Sequence, residues 1–364
     1  MNVPKLRFKE FNDEYINLKY KDVLKIKSGR DQKQVECESG IYPILGTGGQ
    51  IGKTNYFLYD KPSVLIGRKG TINKPQYMET PFWTVDTLFY SHIYEPNIPK
   101  YLFYSFQNVN WKKYDESTGV PSLSSSTIES VECNIPSKEE QLKVADFLSL
   151  LDKKIELQSK KIEDLKLFKK GLIEFEFFNS NYNEINLKEI LKERKTYSEK
   201  GLEFPHVTLS KDGIYDKTGR YNRDFLVKSD DKKYKITYLN DLCYNPANLK
   251  FGVICLNEYG SAIFSPIYVT FVIKNIANPK YIKYYVTRNN FINAIRKYEQ
   301  GTVYERMAVA PEDFLKFSIK LPNIEIQNKF VAKLSKLDQK IELENLKLSR
   351  YIKLKKGLMQ NIFV

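Results

Sequence analysis

The stretch LSLLDKKIEL at residues 148–157 returns almost unchanged as LSKLDQKIEL at residues 334–343. The repeat continues in both directions at a constant offset of 186 residues, since Pro136 corresponds to Pro322 and the run KKGL at 169–172 returns at 355–358. This period is far too long for a solenoid. The sequence therefore predicts two copies of one unit, each a globular region followed by the same helix.

Each copy of the repeat has the pattern of one long amphipathic helix. Apolar residues follow a heptad, which is typical of a helix that packs along another helix. Gln158 and Glu344 fill matching polar positions, and about 40 residues of helix extend roughly 60 Å. We expect the copies to pack as an antiparallel pair; the alternative is two unrelated surface helices. The predicted seam residues are Leu148, Leu151, Ile155, Ile162 and Leu165 in the first copy, and Leu334, Leu337, Ile341, Leu348 and Tyr351 in the second.

The composition favours a polyanionic partner and disfavours metal chemistry. The 364 residues contain 58 Lys and Arg against 44 Asp and Glu, a formal net charge of +14, and such an excess favours binding to polyanions. A lysine-rich proteome is the alternative explanation. With two histidines and four cysteines that form no C-x-x-C pair, neither a zinc site nor a Ser-His-Asp triad is expected, and we predict no metal. Without a signal-peptide core or an 18-residue apolar run, we expect a cytoplasmic protein.

Both globular regions show short strand-like runs separated by turn residues. In the first region, residues 82–90 are predicted to form one strand, and the run from Pro99 to Phe106 a helix with an aromatic face. The run from Pro279 to Tyr285 repeats that helix, and Ile185 to Lys188 repeats the opening run Ile16 to Lys19. The sequence between these landmarks differs strongly. We therefore expect two similar supports that carry two different surfaces.

A glycine-rich run at residues 46–54 resembles a phosphate-binding loop only superficially. Its first glycine is one residue too early, and the residues after it do not predict the helix that such a loop requires. Nucleotide binding is therefore not expected. Gly46, Gly48 and Lys53 remain candidates for close approach to a DNA phosphate, and a plain turn is the alternative.

Several other residues are candidates for DNA contacts. Arg68 and Lys69 stand between two glycines directly after an apolar strand, where Arg can read guanine and Lys can bind phosphate. The Asn-Pro pair that begins at Asn245 lacks the rest of an amino-methyltransferase motif, so no catalytic residue is predicted. For each candidate, a solvated turn or polar connector is the alternative. The further candidates are Thr71, Ser124 and Ser125 in the first region, and Asn245, Lys250, Thr302, Tyr304 and Arg306 in the second.

The duplicated helix and the domain openings resemble the specificity subunits of type I restriction–modification systems. The resemblance covers essentially the whole chain. It is carried by Pro4 to Phe8, by Tyr42 to Gly46 and Ile66 to Gly70, and by two sets of helix residues: Pro136, Gln141, 148–152 and 169–172, with their copies Pro322, Gln327, 334–338 and 355–358.

This resemblance implies an α+β protein in which two long helices, packed as an antiparallel coiled coil, separate two target-recognition domains of mixed α and β structure. We predict the first recognition domain at residues 1–134, a central spacer helix at 135–178, the second recognition domain at 179–320 and a C-terminal spacer helix at 321–364. Each domain would read one half of a split, asymmetric site in double-stranded DNA. The helices would set the gap and dock two modification (methyltransferase) subunits.

The resemblance further implies that this chain is noncatalytic and binds no cofactor. S-adenosylmethionine, ATP and Mg are expected on the modification and restriction (translocase/nuclease) subunits, and no membrane partner is expected. Two other functions remain open: a coiled-coil adaptor without a nucleic-acid role, and the recognition module of a methyltransferase–nuclease. The second would need a fused catalytic domain, for which the duplication leaves no room.

Overall fold

The computed structural model describes residues 3–178, 182–198, 203–217, 233–300 and 307–363. The chain divides into two units. The first unit comprises Met1–Lys161 and Glu344–Val364, and the second comprises Ile162–Leu343. Each unit therefore contains one globular region and one part of both long helices.

Within the described residues, the first unit contains nine strands, and three α-helices lie between them. Its strands are β1 (Ile16–Lys19), β2 (Leu24–Lys27), β3 (Tyr42–Gly46), β4 (Gly49–Thr54), β5 (Ser63–Gly67), β6 (Gln76–Met78), β7 (Trp83–Thr84), β8 (Leu88–Ile93) and β9 (Glu132–Ile135). Its helices are α1 (Tyr20–Val23), α2 (Pro99–Asn108), α3 (Ser125–Ser130) and the start of α4 (Lys138–Phe178).

Two sheets and a strand pair build this unit. The four-stranded sheet has the order β2-β8-β5-β6, the three-stranded sheet has the order β4-β3-β7, and β1 pairs with β9. β5 is buried along its whole length, as its run of apolar residues predicts for a strand covered on both faces. The predicted helix after Pro99 is confirmed as α2, and its aromatic residues Tyr101, Tyr104 and Phe106 lie in the core.

The prediction of one strand over residues 82–90 is wrong. The segment splits into β7, which pairs in parallel with β3, and β8, which joins the other sheet. A turn separates them, because the Leu88 amide donates to the Val85 carbonyl oxygen at 3.0 Å. The apolar run is continuous in sequence, so its periodicity carries no sign of the change of sheet.

The second unit repeats the four-stranded sheet of the first. Its strands are β10 (Glu184–Asn186), β11 (Leu191–Glu193), β12 (Tyr197–Ser198), β13 (Val207–Ser210), β14 (Gly213–Asp216), β15 (Tyr234–Thr237), β16 (Leu242–Tyr244), β17 (Ile254–Leu256), β18 (Ala262–Phe264), β19 (Val269–Ile273) and β20 (Ser318–Lys320). Its helices are α5 (Leu187–Ile190), α6 (Pro279–Val286), α7 (Asn289–Ile295), α8 (Pro311–Leu315) and the start of α9 (Ile324–Ile362). The order β11-β19-β16-β17 matches β2-β8-β5-β6 position by position, and β10 pairs with β20 as β1 does with β9. The remaining strands differ, since β12-β15-β18 forms one sheet and β13 and β14 form a separate hairpin.

The two long helices confirm the heptad prediction, with 41 residues in α4 and 39 in α9. The predicted seam residues are buried or half-buried, and Leu148 and Leu334 are fully buried. In the first unit, Lys355 Nζ lies 2.5 Å from Asp152 Oδ1. In the second unit, Lys169 Nζ lies 2.5 Å from Asp338 Oδ1. Because low numbers in one helix meet high numbers in the other, the pair is antiparallel within each unit.

In each unit, a tyrosine of the aromatic helix donates a hydrogen bond to the aspartate of this ion pair. Tyr104 donates its hydroxyl to Asp152 at 2.7 Å, and Tyr284 donates to Asp338 at 3.3 Å. The repeated glutamines have an equally local role. Gln141 accepts from the Ile98 amide at 2.9 Å, and Gln327 from the Asn278 amide at 2.7 Å. The repeated polar residues therefore fasten each globular region to the long helix that follows it.

The N-terminal segment joins the same helix pair. Arg7 Nη2 forms an ion pair with Glu140 Oε2 at 2.7 Å, and the Leu6 amide donates to the Asn361 carbonyl oxygen at 2.9 Å. The stretch from Pro4 to Phe8 therefore contacts both long helices in the first unit.

Candidate nucleic-acid interface

The basic turn after β5 holds Arg68 and Lys69 out from the first unit. Gly67 cannot be replaced without movement, because a Cβ atom there would lie 2.4 Å from the Thr71 carbonyl oxygen. Gly70 has a φ of +94°, a conformation that glycine adopts without strain. The amides of Arg68 and Lys69 donate to the Thr87 carbonyl oxygen at 2.8 and 3.3 Å. The backbone of the turn is thus fixed while both cationic side chains are exposed.

The loop at residues 115–124 packs directly against the basic turn. The Gly70 amide donates to the Pro121 carbonyl oxygen at 2.7 Å, and the Leu123 amide donates to that of Arg68 at 2.9 Å. Asp115 holds this loop closed, since its Oδ1 accepts from the amides of Ser117 and Ser122 at 3.0 and 2.9 Å. These hydrogen bonds, the one from Ser122 first, lower the pKa of Asp115.

The turn between β3 and β4 completes the cluster. A Cβ atom on Gly70 would lie 3.8 Å from Thr47 Oγ1, and Gln76 donates its amide to the Gly46 carbonyl oxygen at 2.9 Å. Gly46 is buried, whereas Gly48 is exposed with open space around it. We call the turns 46–49 and 67–71 together with the loop 115–124 the first loop surface. Three candidate segments that are distant in sequence therefore lie side by side.

Further candidates of the first unit are Lys53, Ser124 and Ser125, and their surroundings differ from those of the basic turn. Lys53 is exposed on β4, opposite Pro43 in the hairpin. Ser124 caps α3, because its Oγ accepts from the Thr127 amide at 3.1 Å, and it also donates to Glu116 Oε1 at 2.9 Å. Ser125 is the first residue of α3. The structure thus gives Ser124 a local role in ending the loop, and a DNA contact from any of these three residues stays a prediction.

The first loop surface has the chemistry of a polyanion contact. Among the residues that the structure describes, no carboxylate forms an ion pair with Arg68 or Lys69. An unpaired guanidinium has two parallel donors for guanine O6 and N7 or for a phosphate, and an ammonium suits phosphate. A strand, β4, follows the glycine-rich turn, so that turn has no helix N-terminus at which to hold a nucleotide phosphate.

In the second unit, Asn245 and Lys250 lie on the loop that corresponds to the basic turn. That loop joins β16 to β17, the strands at the positions of β5 and β6 in the matching sheet. It contains a 3₁₀ helix, Pro246–Phe251, capped by Asn245, whose Oδ1 accepts from the amides of Ala247 and Asn248 at 3.1 and 3.3 Å. Asn245 is 7% exposed. Its carbonyl oxygen therefore shapes the loop from inside, and Lys250 is the more accessible candidate.

Two residues of this region, Phe251 within the loop and Lys211 beside it, are not predicted from the sequence. Phe251 is 65% exposed, with Lys250 Nζ 5.3 Å from the centre of its ring. Lys211, from the β13–β14 hairpin, lies beside Gly252, where a Cβ atom would lie 3.6 Å from Lys211 Cε. We call the segment 245–252 with Lys211 the second loop surface. The two loops share no sequence motif, so the sequence does not show that they correspond. The correspondence is visible only in the shared order of strands in the two sheets.

The remaining candidates, Thr302, Tyr304 and Arg306, lie outside the described residues. Within the described residues there is no group of three or more His, Cys, Asp or Glu side chains placed to hold a metal ion. All four cysteines are free, and three of them are buried. None of the helices in the described part of the chain combines the length and apolar character that crossing a bilayer requires.

Comparison with known proteins agrees with this architecture. The sequence model of the type I restriction modification DNA specificity domain matches residues 12–167. The type I restriction enzyme MjaIX specificity subunit of Methanocaldococcus jannaschii is 39% identical over 107 residues, which are 26% of this chain and 25% of that protein. The alignment thus spans a quarter of the curated relative.

Two solved structures have a similar fold. The type I restriction–modification S subunit from M. genitalium aligns over 100% of this chain and 99% of its own, with a TM-score of 0.60 and 15% identity. A chain from a structural study of complex assembly and conformational transition of the type I R-M system aligns over 97% of this chain and 98% of its own, with a TM-score of 0.58 and 11% identity. At these identities the likeness shows the fold. The sequence match over residues 12–167 and the likeness of fold over the whole chain are both to specificity subunits of type I restriction–modification systems.

Proposed function

We propose that this chain is a noncatalytic, sequence-specific DNA-binding subunit that reads a bipartite, asymmetric target. One observation carries the proposal: the same four-stranded sheet occurs in both units and presents a different loop at the same position. The first unit presents Arg68 and Lys69 on a tight turn, and the second presents Lys250 and Phe251 on a 3₁₀ helix. Because the two sheets are alike and the loops that they present differ, the two units are expected to read different half-sites.

The charge of the chain supports duplex binding. A formal net charge of +14 favours contacts with phosphates, whose number sets the salt dependence of the affinity. Arg68 is the candidate for direct base reading in the major groove. Lys69 and the exposed backbone at Gly48 are candidates for phosphate contacts that set the register of the protein on the duplex.

The paired helices supply the second part of the proposal. We propose that α4 and α9 set the gap between the half-sites and dock two modification subunits. Several large apolar side chains of these helices are exposed, including Leu150, Leu157, Phe168 and Phe175 of α4, and exposed apolar stripes mark contact sites for other proteins. S-adenosylmethionine, ATP and Mg would act on the modification and restriction subunits.

The test is co-expression with a modification subunit of a type I restriction–modification system, followed by methylome sequencing of the host. We expect one methylated motif of two unlike halves with a fixed gap, and none when this chain is omitted. No methylation, together with no shift of a random duplex, would support a coiled-coil adaptor without a nucleic-acid role. Methylation by the chain without its partner would contradict the noncatalytic assignment.

A further inference from the structure

A groove of about 470 Å³ opens in the first unit beside the first loop surface. Its walls come from the β5–β6 connection, the end of α2 and the C-terminal part of α9. Lysines and amides provide its polar lining: Asn73, Lys74, Gln107, Asn108, Lys355, Lys356 and Gln360. No Asp or Glu lines the groove, so it has cationic and neutral hydrogen-bonding groups without a competing carboxylate.

Two of the three lysines are available for a ligand. Lys355 is held by Asp152 at 2.5 Å, and its ammonium lies 5.0 Å from the centre of the Tyr104 ring. Lys74 and Lys356 are exposed, and within the described part of the chain no carboxylate forms an ion pair with either of them. The groove therefore presents two free positive charges on separate elements, one on each wall.

The second unit has filled the corresponding place. By the repeat offset, Lys356 and Gln360 correspond to Lys170 and Glu174, and alignment of α2 with α6 relates Asn108 to Arg288. There Arg288 Nη1 lies 3.8 Å from Glu174 Oε2, and its guanidinium lies 4.4 Å from the ring centres of Phe177 and Tyr285. An ion pair stacked on aromatic rings thus replaces the amides. The open groove belongs to the first unit and does not follow from the shared scaffold.

We propose that this groove binds phosphates of the duplex backbone next to the half-site that the first unit reads. This inference rests on the function proposed above. The connection between β5 and β6 carries Arg68 and Lys69 at one end and Lys74 a few residues later, so one loop supplies both base-reading and phosphate-binding groups. Lysine ammonium groups and side-chain amides are common donors to phosphate oxygens, and such contacts position a protein without selecting a sequence. The groove would therefore raise affinity for every duplex equally.

The test is the double variant Lys74→Gln and Lys356→Gln, assembled with the modification subunit and compared with wild type for cognate and random duplexes over a series of salt concentrations. We expect the slope of log affinity against log salt to fall in magnitude by about 1.8, since each lost phosphate contact contributes about 0.9. Each single variant should account for about half of this change. The ratio of cognate to random affinity and the methylated motif should stay the same.

The matched control is Lys170→Gln, which removes the corresponding exposed lysine of the second unit and should leave the slope unchanged. An unchanged slope in the double variant, or an equal change in the control, would overturn the groove assignment. In either case wild-type binding to the cognate duplex would leave the proposed function standing. Failure of the wild-type complex to bind any duplex would instead contradict the proposed function itself.

Discussion

The two units share one scaffold and differ in what they present on it. In both, a strand pair closes the domain, a four-stranded sheet has one order, and a buried glutamine fastens the aromatic helix to the long helix. The loops differ, with a tight basic turn in the first unit and a capped 3₁₀ helix with an exposed Phe251 in the second. The shared residues hold each unit together, whereas the residues of the loops differ between the units and are available to specify a ligand.

The largest expected effect tests whether the scaffolds are equivalent. Leu148 and Leu334 are fully buried at corresponding positions. Replacing either by Ala should lower the free energy of unfolding by about 2–5 kcal/mol, because a buried leucine leaves a cavity when truncated. Hydrogen exchange should locate the loss in the first unit for Leu148→Ala and in the second for Leu334→Ala.

Leu150→Ala is the matched control for this pair. Leu150 is 68% exposed on the same helix, so its truncation should change stability by no more than about 0.5 kcal/mol. If Leu334→Ala lowered the free energy of unfolding as little as Leu150→Ala, the second copy of the helix would not stabilise its domain in the way that the first copy does.

A smaller effect tests whether the loops are independent. Arg68→Ala should weaken cognate binding by about 1–3 kcal/mol and relax one half of the methylated motif, because an Arg fork reads a base directly. Lys250→Ala should affect only the other half. Methylome sequencing of cells with either variant checks both expectations. Relaxation of both halves by one substitution would mean that the loops do not read separate half-sites.

The smallest effect concerns the one seam layer in which the copies differ in charge. Glu344 corresponds to Gln158, and the two meet in the first unit, where Gln158 Nε2 lies 2.7 Å from Glu344 Oε2. Hydrogen bonds from Gln158, then Lys161 and Lys347, lower the pKa of Glu344 to about 2. Because the folded pKa lies below the unfolded value of about 4.5, the stabilisation is present above pH 4.5 and is lost as the pH falls toward 2.

Glu344→Gln should remove this pH dependence while leaving the helix pair folded. The measurement is the unfolding midpoint of wild type and variant between pH 5 and pH 2, where the wild-type value should fall more steeply. Parallel curves would show that Glu344 titrates alike in the folded and unfolded chain.

The helices could be predicted from the sequence in detail, and the loop surfaces only in part. The seam from Leu148 to Leu165 repeats at a period that belongs to a helix pair alone, so its partner and register follow from the pattern. The hydroxyl of Ser124 suits a DNA contact, but serine hydroxyls also cap helices, and only the geometry of α3 reveals that capping role.

The correspondence between the basic turn and the segment 245–252 lay beyond sequence reasoning for a different reason. It rests on the order of strands in a sheet, which joins segments far apart in the chain. Lys211 lies beside Gly252 in the fold although the two are distant in the chain, and neither Lys211 nor Phe251 belongs to a motif. The split of residues 82–90 between two sheets has the same origin, because pairing partners rather than local preference decide which sheet a strand joins.

Removal of one heptad from each long helix tests the central claim most directly. Deleting residues 155–161 and 341–347 removes matched segments centred on Gln158 and Glu344, and it keeps the seam in phase because Ile162 and Leu348 then take the places of Ile155 and Ile341. Each helix loses about 10 Å at about 1.5 Å per residue. If the helices set the gap, methylome sequencing should show both half-sites unchanged and the gap shorter by about three base pairs, at about 3.4 Å each. Methylation of the original motif with its original gap would contradict the account.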